Sequence, residues 1–258
     1  MTRNLRMRGP ATLILVSIFL VSILAIGAAA DKPDKKDKAA TAVQTIDSGS
    51  FGIFVKGQRV ATETFSIQQQ NGASIIKSQL KEASSADPVT QKSDLEITAS
   101  GDLIRYQWSQ SSGGSLTVLP SNDFLIEKVT ASPSAKPAEK PFLMPSSSSI
   151  LDNNFFVHRE VLIWRYLAAD CKPEAGNLKC QQGPTPFGVL VPQDQTSMPI
   201  KLELVGKEKV TIKGAERELL RLNLTGEDFN WAVWVDDHDQ FKLIRVAIAA
   251  DNTEVLRD

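Results

Sequence analysis

Apolar and polar residues alternate along most of the chain from residue 43 onward, which is the pattern of half-buried β-strands. In the segment FGIFVKGQRVATETFSI, Phe51, Ile53 and Val55 share one face of a predicted strand, and Gly57 then turns the chain. A second alternating set follows, and Asn71 with Gly72 forms the strongest short-range signal for a two-residue hairpin. This region therefore predicts antiparallel strands joined by tight turns.

The same alternation returns in the last third of the chain. Five segments alternate or nearly alternate: MPIKLELVG, KVTIKG, ERELLRLNLTG, FNWAVWVD and FKLIRVAIA. All-β folds of this length often form a single domain. We predict that residues 43–258 form one mainly antiparallel β domain.

The segment ILDNNFFVHREVLIWRYLAAD has helical periodicity. It predicts one main helix near residues 152–168, capped by Asp152, Asn153 or Asn154. Apolar residues lie on more than one side of this helix, so we expect it to cover the sheet and to be buried against it. The residues that recur near the helical period are Phe155, Arg159, Leu162, Ile163, Tyr166 and Leu167.

A Pro- and Ser-rich connector at residues 132–149 interrupts the strand pattern. Its proline content argues against a central strand. It is either a disordered insertion or an ordered strap in which Phe142, Leu143 and Met144 enter a groove. We favour the strap, because three adjacent large apolar residues are poor content for a solvated loop.

The first thirty residues have the pattern of a signal peptide: three arginines, a continuous apolar stretch, and small residues before a predicted cleavage after Ala30. The alternative is an uncleaved anchor. Residues 31–42 are charged and lack apolar periodicity, which predicts a disordered leader. We expect a periplasmic or secreted protein that meets the membrane only through the signal peptide before cleavage.

Charge and cysteine content narrow the functional classes further. Without residues 1–30 the chain has 26 basic and 30 acidic residues, and a charge of −4 argues against nucleic-acid binding. Cys171 and Cys180 are the two cysteines of the chain. In an exported protein they predict a disulfide closing the loop 171–180. A redox pair, the alternative, usually has two intervening residues. No pattern in the chain predicts a cofactor.

The densest group of potential metal ligands is Asp236, Asp237, His238 and Asp239. Adjacent residues of a strand point to opposite faces, and the group does not match a calcium loop. Alternating strands flank it on both sides, so we predict a hairpin turn and no metal site. A hydrolase that uses His238 with the nearby aspartates is the alternative. His158, the other histidine, is expected to be a structural helical residue.

Glu63 is a charged residue on the predicted inner face of its strand, beside Ala61 and Phe65. An inward carboxylate needs a partner or a pocket. It therefore contacts a ligand, lies at a wet strand end, or pairs with an arginine such as Arg105 or Arg221.

Four segments together carry a resemblance to a known group: FGIFVKGQRVATETFSI, SSILDNNFFVHREVLIWRYL, VLVP and WAVWVDDHDQFKLIRVAI. Their order resembles that of bacterial exported β-rich proteins of unknown function, whose folds are similar to the periplasmic lipoprotein carriers and receptors. The resemblance implies a curved, incompletely closed antiparallel sheet, a half-barrel or open barrel, that wraps an apolar cavity. It also implies an apolar-ligand or lipid-handling cleft.

The sequence therefore predicts a non-enzymatic binding or carrier module for an apolar molecule, a lipid or a lipidated partner. An envelope scaffold that binds another protein through a sheet edge is the alternative. We expect Trp231, in register with Val233, to face inward and Trp234 to face outward. The candidate ligand-binding residues are Glu63, Phe65, Tyr106, Trp108, Phe155 and Trp231; further aromatics that would line a cavity or pack in the core are Phe51, Phe54, Trp164 and Trp234.

Overall fold

The structure, a computed structural model, describes residues 43–83, 88–174 and 177–258. The predicted signal peptide and the predicted leader lie outside the described residues. The first nine strands precede the helix α1 (Val157–Asp170). They are β1 (Gln44–Val55), β2 (Gln58–Gln70), β3 (Ala73–Glu82), β4 (Thr90–Thr98), β5 (Leu103–Gln110), β6 (Ser115–Ser121), β7 (Phe124–Thr130), β8 (Ala138–Phe142) and β9 (Ser149–Ile150).

Eight strands and a short 3₁₀ turn (Pro192–Asp194) follow α1 among the described residues. The strands are β10 (Cys171–Glu174), β11 (Asn177–Cys180), β12 (Thr185–Val191), β13 (Thr196–Ile212), β14 (Ala215–Thr225), β15 (Asn230–Asp236), β16 (Lys242–Ile248) and β17 (Thr253–Arg257). The mainly β prediction is confirmed.

Fifteen of the described strands form one large, curved and unclosed sheet. Its order is β8-β7-β6-β5-β4-β3-β2-β1-β17-β16-β15-β14-β13-β12-β9, and each neighbouring pair is antiparallel except β9 with β12. The first strand therefore pairs with the last, which joins two meanders in the middle of the sheet. The sheet is consistent with the predicted open half-barrel with one helix.

The hairpin predicted at Asn71 and Gly72 joins β2 to β3. Both residues have positive φ, 54° and 78°, as a type I′ turn requires. This backbone twist matches the twist of the flanking strands, so the two-residue loop fixes their register. The turn prediction is confirmed.

The main core lies between α1 and the inner face of the sheet. Trp231 packs against this core, whereas Trp234 belongs to a small cluster with Val210 and Ile244. Residues three apart on a strand point to opposite faces, so this second cluster lies on the outer face. The expected orientations of the two tryptophans agree with this placement.

Helix α1 begins later than the sequence predicts. Its first residue is Val157, and Phe156 at the N-cap makes no side-chain capping bond. Asp152, Asn153 and Asn154 precede the helix by several residues, so the predicted cap was wrong. No helix formed by the described residues is long and apolar enough to cross a membrane.

The connector contains the edge strand β8 followed by an ordered strap, residues 143–148. Phe142 and Met144 are buried, but the side chain of Leu143 between them is 79% exposed. Consecutive residues of an extended segment point in opposite directions, so only two of the three predicted apolar residues enter the core. The strap returns the chain to β5, where Ser146 accepts a backbone hydrogen bond from Leu103 (2.7 Å).

The predicted disulfide joins Cys171 to Cys180. These residues pair across the two-stranded sheet β10-β11, which begins where α1 ends. Gln181 donates a backbone hydrogen bond to Asp170, the last residue of the helix (3.0 Å). The disulfide loop is therefore tied to the C-terminal end of α1.

Replacing both cysteines with serine should lower the free energy of unfolding by about 2.5 kcal/mol, because the unfolded chain loses a closed loop. Denaturant unfolding under non-reducing conditions measures this difference. The unmodified protein treated with reductant is the matched control and should show the same loss. A change below about 0.5 kcal/mol would mean that the disulfide does not constrain the unfolded chain.

Candidate functional site

Three consecutive polar residues, His158, Arg159 and Glu160, are almost fully buried in the first turn of α1, with exposed fractions of 1%, 0% and 0%. Successive helical residues point about 100° apart around the axis. The three side chains therefore reach three different sectors of the surrounding sheet. Burying such groups costs free energy unless each has a partner.

Glu63 on β2 binds the start of α1. One carboxylate oxygen accepts the backbone N–H of Phe156 (2.6 Å), and the other accepts the backbone N–H of Val157 (3.2 Å) and the Ser78 hydroxyl (2.7 Å). The first N–H groups of a helix lack partners within the helix, and the helix dipole favours negative charge there. Glu63 thus caps the helix from a strand that lies about ninety residues earlier in the sequence.

Burial raises the pKa of Glu63 to about 7, while the hydrogen bonds from Ser78 and α1 and the positive charge of Arg159 oppose this rise. Two of the alternatives for Glu63 are excluded: its full burial rules out a wet strand end, and the arginine whose charge it feels is Arg159, not Arg105 or Arg221. Arg105 and Arg221 lie instead beside other acidic residues on the sheet. Glu63 is also fully buried, and both of its oxygens are occupied, so its position indicates a role in holding the helix.

Arg159 anchors the helix to the segment before it. Its Nη1 donates to the carbonyl oxygens of Asp152 and Phe155, the latter at 2.7 Å. Its guanidinium lies over the rings of Phe156 and Trp231, 4.7 and 5.0 Å from the ring centroids. Burial lowers the pKa of Arg159 to about 10, and the negative charges of Asp152 and Glu63 oppose this effect. The guanidinium is therefore held by carbonyls, carboxylates and aromatic faces together.

Asp152 forms a second buried centre before α1. Its carboxylate accepts hydrogen bonds from the Tyr106 hydroxyl, the Gln193 amide (2.6 Å) and the backbone N–H of Asn154 (2.7 Å). Burial raises the pKa of Asp152, and these three donors oppose the rise. This centre connects β5, the turn after β12 and the start of the helical segment.

Glu160 reaches the opposite sector of the sheet. It accepts the backbone N–H of Leu243 (3.1 Å) and lies 3.4 Å from Nη1 of Arg257, whose Nη2 binds both oxygens of Asp47 (2.6 and 2.7 Å). Burial raises the pKa of Glu160 well above its usual range, and the nearby Asp47 carboxyl raises it further. These effects favour the protonated form of Glu160, one oxygen of which has no hydrogen-bond partner among the described residues. These contacts link α1 to β16, β17 and β1.

A cavity of about 540 Å³ lies beside this polar centre, between one face of α1, the neighbouring sheet and the end of the strap. Its volume is in the range of small-molecule sites. Apolar side chains and small polar ones line it: Gln69, Ser74, Leu95, Ile97, Thr98, Ala99, Ser100, Gly101, Leu103, Ser148, Ser149, Ile150, His158, Val161, Leu162, Trp164, Arg165, Ala168 and Ala169. Arg165 is the one charged residue among these described lining residues.

His158 belongs both to the buried start of α1 and to this cavity. Its ring packs edge-on against Tyr106, with centroids 5.7 Å apart. Neither ring nitrogen has a hydrogen-bond partner among the described residues. Burial, and to a smaller extent the charge of Arg159, lowers the pKa of His158 to about 3. The imidazole is therefore neutral over the physiological pH range.

The six predicted ligand-binding residues do not converge on this cavity. Tyr106 and Phe155 are fully buried in the core, and Trp231 covers Arg159. Phe65 and Trp108 border a different groove of about 660 Å³ that crosses β2 to β6. That groove is lined largely by polar residues of the sheet surface, so its chemistry suits an apolar molecule less well. Glu63, as described, binds the helix.

The other four aromatic candidates lie in different parts of the structure. Phe51 stacks on Phe65 in the core, with ring centroids 4.8 Å apart. Phe54 lies under Arg59, and Trp234 packs on the outer cluster. Trp164 lines the cavity, while its indole N–H donates to the backbone oxygen of Phe241 (3.0 Å). Among these four aromatics, Trp164 thus lines the cavity and the other three pack elsewhere in the structure.

The segment around His238 forms the predicted turn between β15 and β16. Asp236, Asp237 and His238 bring ligand atoms within 4.8 Å of one another, but the His238 side chain is 72% exposed. Asp236 pairs with Arg217 (2.6 Å), and Asp237 pairs with Lys207 (2.9 Å). The carboxylates are therefore neutralised at an exposed hairpin end, which does not favour a catalytic site.

Sequence reasoning missed the importance of Arg159 and Glu160. Arg159 recurs with Phe155 and Leu162 at helical spacing, and Glu160 does so with Ile163. A charged residue on an apolar helical face is a recognisable signal for a buried pair. It does not identify the partner, because Glu63 and Asp47 are distant in sequence.

Comparison with protein-family models, curated proteins and solved structures found no match to this chain. The cavity and the buried residues beside it are therefore the features of this chain that bear on its function.

Replacing Glu63 with alanine should destabilise the fold by about 3 kcal/mol, because two N–H groups at the start of α1 lose their acceptor. The raised pKa of Glu63 means that ionisation of its carboxyl opposes folding, so Glu63→Gln, which resembles the protonated acid, should cost less than Glu63→Ala at pH 8. Denaturant unfolding gives both differences. Glu82→Ala, on the exposed end of β3, is the control and should change stability by less than about 0.5 kcal/mol.

His158 makes stability depend on pH with a defined sign. Its folded-state pKa of about 3 lies below the ordinary value of 6.5, so the unfolded state takes up the proton first as pH falls. The stability of the native protein relative to His158→Leu should therefore decrease by roughly 1.4 kcal/mol for each unit between pH 6 and pH 4. Parallel unfolding curves over this range test the difference. An identical pH dependence for both proteins would contradict the buried neutral imidazole.

Proposed function

We propose that this chain is an exported, non-enzymatic binding or carrier module for a small apolar molecule, which occupies the cavity between α1 and the sheet. The observation that carries the proposal is the cavity itself, with a volume of about 540 Å³ and a lining in which apolar side chains are interspersed with small polar ones, His158 and Arg165. Ligand sites of this kind bury most of a small apolar molecule and use the few polar groups to orient it.

The architecture supports this proposal. A curved, unclosed sheet with one helix is the shape expected from the resemblance to the periplasmic lipoprotein carriers and receptors. In such a fold the helix separates the inner face of the sheet from solvent, and an incompletely filled space beside it becomes a binding site. A lipid or the acyl chain of a lipidated partner has the chemistry that this space accommodates.

Export is supported by the signal-peptide pattern of residues 1–30 and by the disulfide, which is typical of oxidising compartments. The proposed export and the apolar ligand proposed for the cavity are both consistent with a role in the bacterial envelope.

The structure gives less support to the two alternative functions, an envelope scaffold and a hydrolase. The edge strand β8 contains Lys140 and Pro141, which are residues that hinder pairing with another chain, and the opposite edge strand β9 has only two residues. A scaffold that binds through a sheet edge would need a longer and less protected edge. The hydrolase alternative would need a less exposed His238.

Binding of the neutral fluorescent molecule N-phenyl-1-naphthylamine to the mature chain tests the proposal. We expect saturable binding with increased fluorescence, as for an apolar site. Ala168 is an exposed helical residue at the cavity rim, so Ala168→Trp should fold and should weaken binding at least about tenfold by filling the entrance.

Ala215→Trp is the matched control, since Ala215 is exposed on β14, outside the residues that line the cavity. This variant should bind the fluorophore like the native chain. Absence of saturable binding, or an equal loss in both variants, would contradict a ligand site beside α1.

A further inference from the structure

We propose that His158 is the hydrogen-bonding anchor of this cavity and that it recognises an uncharged hydroxyl group on an otherwise apolar ligand. The inference rests on the proposed function and adds the class of ligand. It assigns to His158 a role that the fold alone does not require.

The imidazole of His158 is buried and lacks hydrogen-bond partners among the described residues. The side chain is 1% exposed, lines the cavity, and has two ring nitrogens without hydrogen-bond partners among the described residues. A buried polar group without a partner is costly, and such groups in native proteins usually have a partner or a purpose. Both nitrogens are buried in the structure, so a ligand in the cavity can supply the missing partner once the imidazole rotates to bring one of them to the cavity wall.

His158 lies at one end of the cavity. The lining residues of α1 follow helical spacing from His158 through Val161 and Arg165 to Ala169. At the rise of an α-helix these positions span about 16 Å. Ala169 is exposed, Arg165 is half-buried and His158 is buried, so His158 lies at the closed end. An elongated ligand that enters from the exposed end would present its leading group to the imidazole.

The absence of charge around His158 favours an uncharged group on the ligand. The imidazole is neutral, and the described residues that line the cavity include no carboxylate. A neutral imidazole has one N–H donor and one acceptor nitrogen, and a hydroxyl group offers the complementary acceptor and donor. A carboxylate at the closed end would be buried next to an uncharged ring, which is unfavourable. The chemistry therefore matches an alcohol.

Arg165 offers the competing mode of recognition, an anionic head at the half-buried part of the cavity. Its Nη1 already donates to the Ser149 hydroxyl (3.0 Å) and approaches the backbone oxygen of Gly101 (3.4 Å). The guanidinium is thus used to hold the strap next to the helix. This contact favours His158 as the group that awaits a ligand.

Competition with bound N-phenyl-1-naphthylamine tests the inference, using 1-octanol, 1-chlorooctane and octanoate as probes of equal chain length. The affinity for octanol relative to chlorooctane should be about tenfold lower in His158→Leu than in the native chain, because one buried hydrogen-bonded pair is lost. Ser93→Ala removes a buried polar group outside the lining of the cavity and should keep the native ratio.

Nitrogen-15 spectra of the imidazole groups provide an independent reading. The chain has two histidines, and His238 is 72% exposed in the turn after β15. Octanol should shift the His158 ring signals and leave those of His238 unchanged. Chlorooctane should shift the His158 signals much less than octanol does. His238→Ala assigns the two sets of signals.

The possible outcomes separate the inference from the proposed function. If neither the fluorophore nor any probe binds, the proposed function fails. If the probes bind but the octanol preference is the same in the native chain and His158→Leu, the cavity is a ligand site and the His158 assignment is wrong. Tightest binding of octanoate, with loss in Arg165→Gln and not in His158→Leu, would overturn it in favour of an anionic ligand.

Discussion

The contact between the Glu63 carboxylate and the first N–H groups of α1 sets the position of the helix within the curved sheet. A helix that starts inside a β structure exposes unsatisfied N–H groups to a poorly solvated environment. Glu63 satisfies two of them and also carries a charge that the helix dipole and Arg159 favour. The sheet thereby supplies the cap that the helix sequence lacks.

Three consecutive side chains then fix the helix in three directions. Arg159 binds backbone oxygens in the segment before the helix, and Glu160 binds the strands near the C-terminus. His158 faces the remaining sector, where the cavity lies and where no described residue bonds to its nitrogens. Arg159 and Glu160 act in the architecture, whereas the neutral imidazole is the group that we propose for ligand recognition. A buried polar residue without a partner lowers the stability of the fold. Such a residue at a cavity is therefore expected to have a role in binding.

Local features were predictable from the sequence. The hairpin at Asn71 and Gly72, the turn around His238 and the disulfide between Cys171 and Cys180 each depend on residues that are close together in the chain. Strand alternation likewise predicted the sheet, because each strand has one buried face.

Features that depend on distant contacts were not predictable in the same way. Asp152 and its neighbours were reasonable caps by type, but Glu63 satisfies the helix start from β2 and moves the first helical residue to Val157. The residues that line the cavity differ from the predicted ligand-binding residues for a related reason. Aromatic residues were the natural expectation for a cavity, yet Tyr106, Phe155 and Trp231 fill the space around the polar helix start. The empty space lies along the other face of α1, next to smaller side chains.

The most direct measurement is the electron density of the mature protein purified from its own envelope and crystallised without added ligand. We expect elongated density along α1, from Ala169 toward His158, with a polar atom within hydrogen-bonding distance of an imidazole nitrogen. A cavity closed by the side chains of Leu162 and Trp164, or filled by ordered water alone, would contradict it.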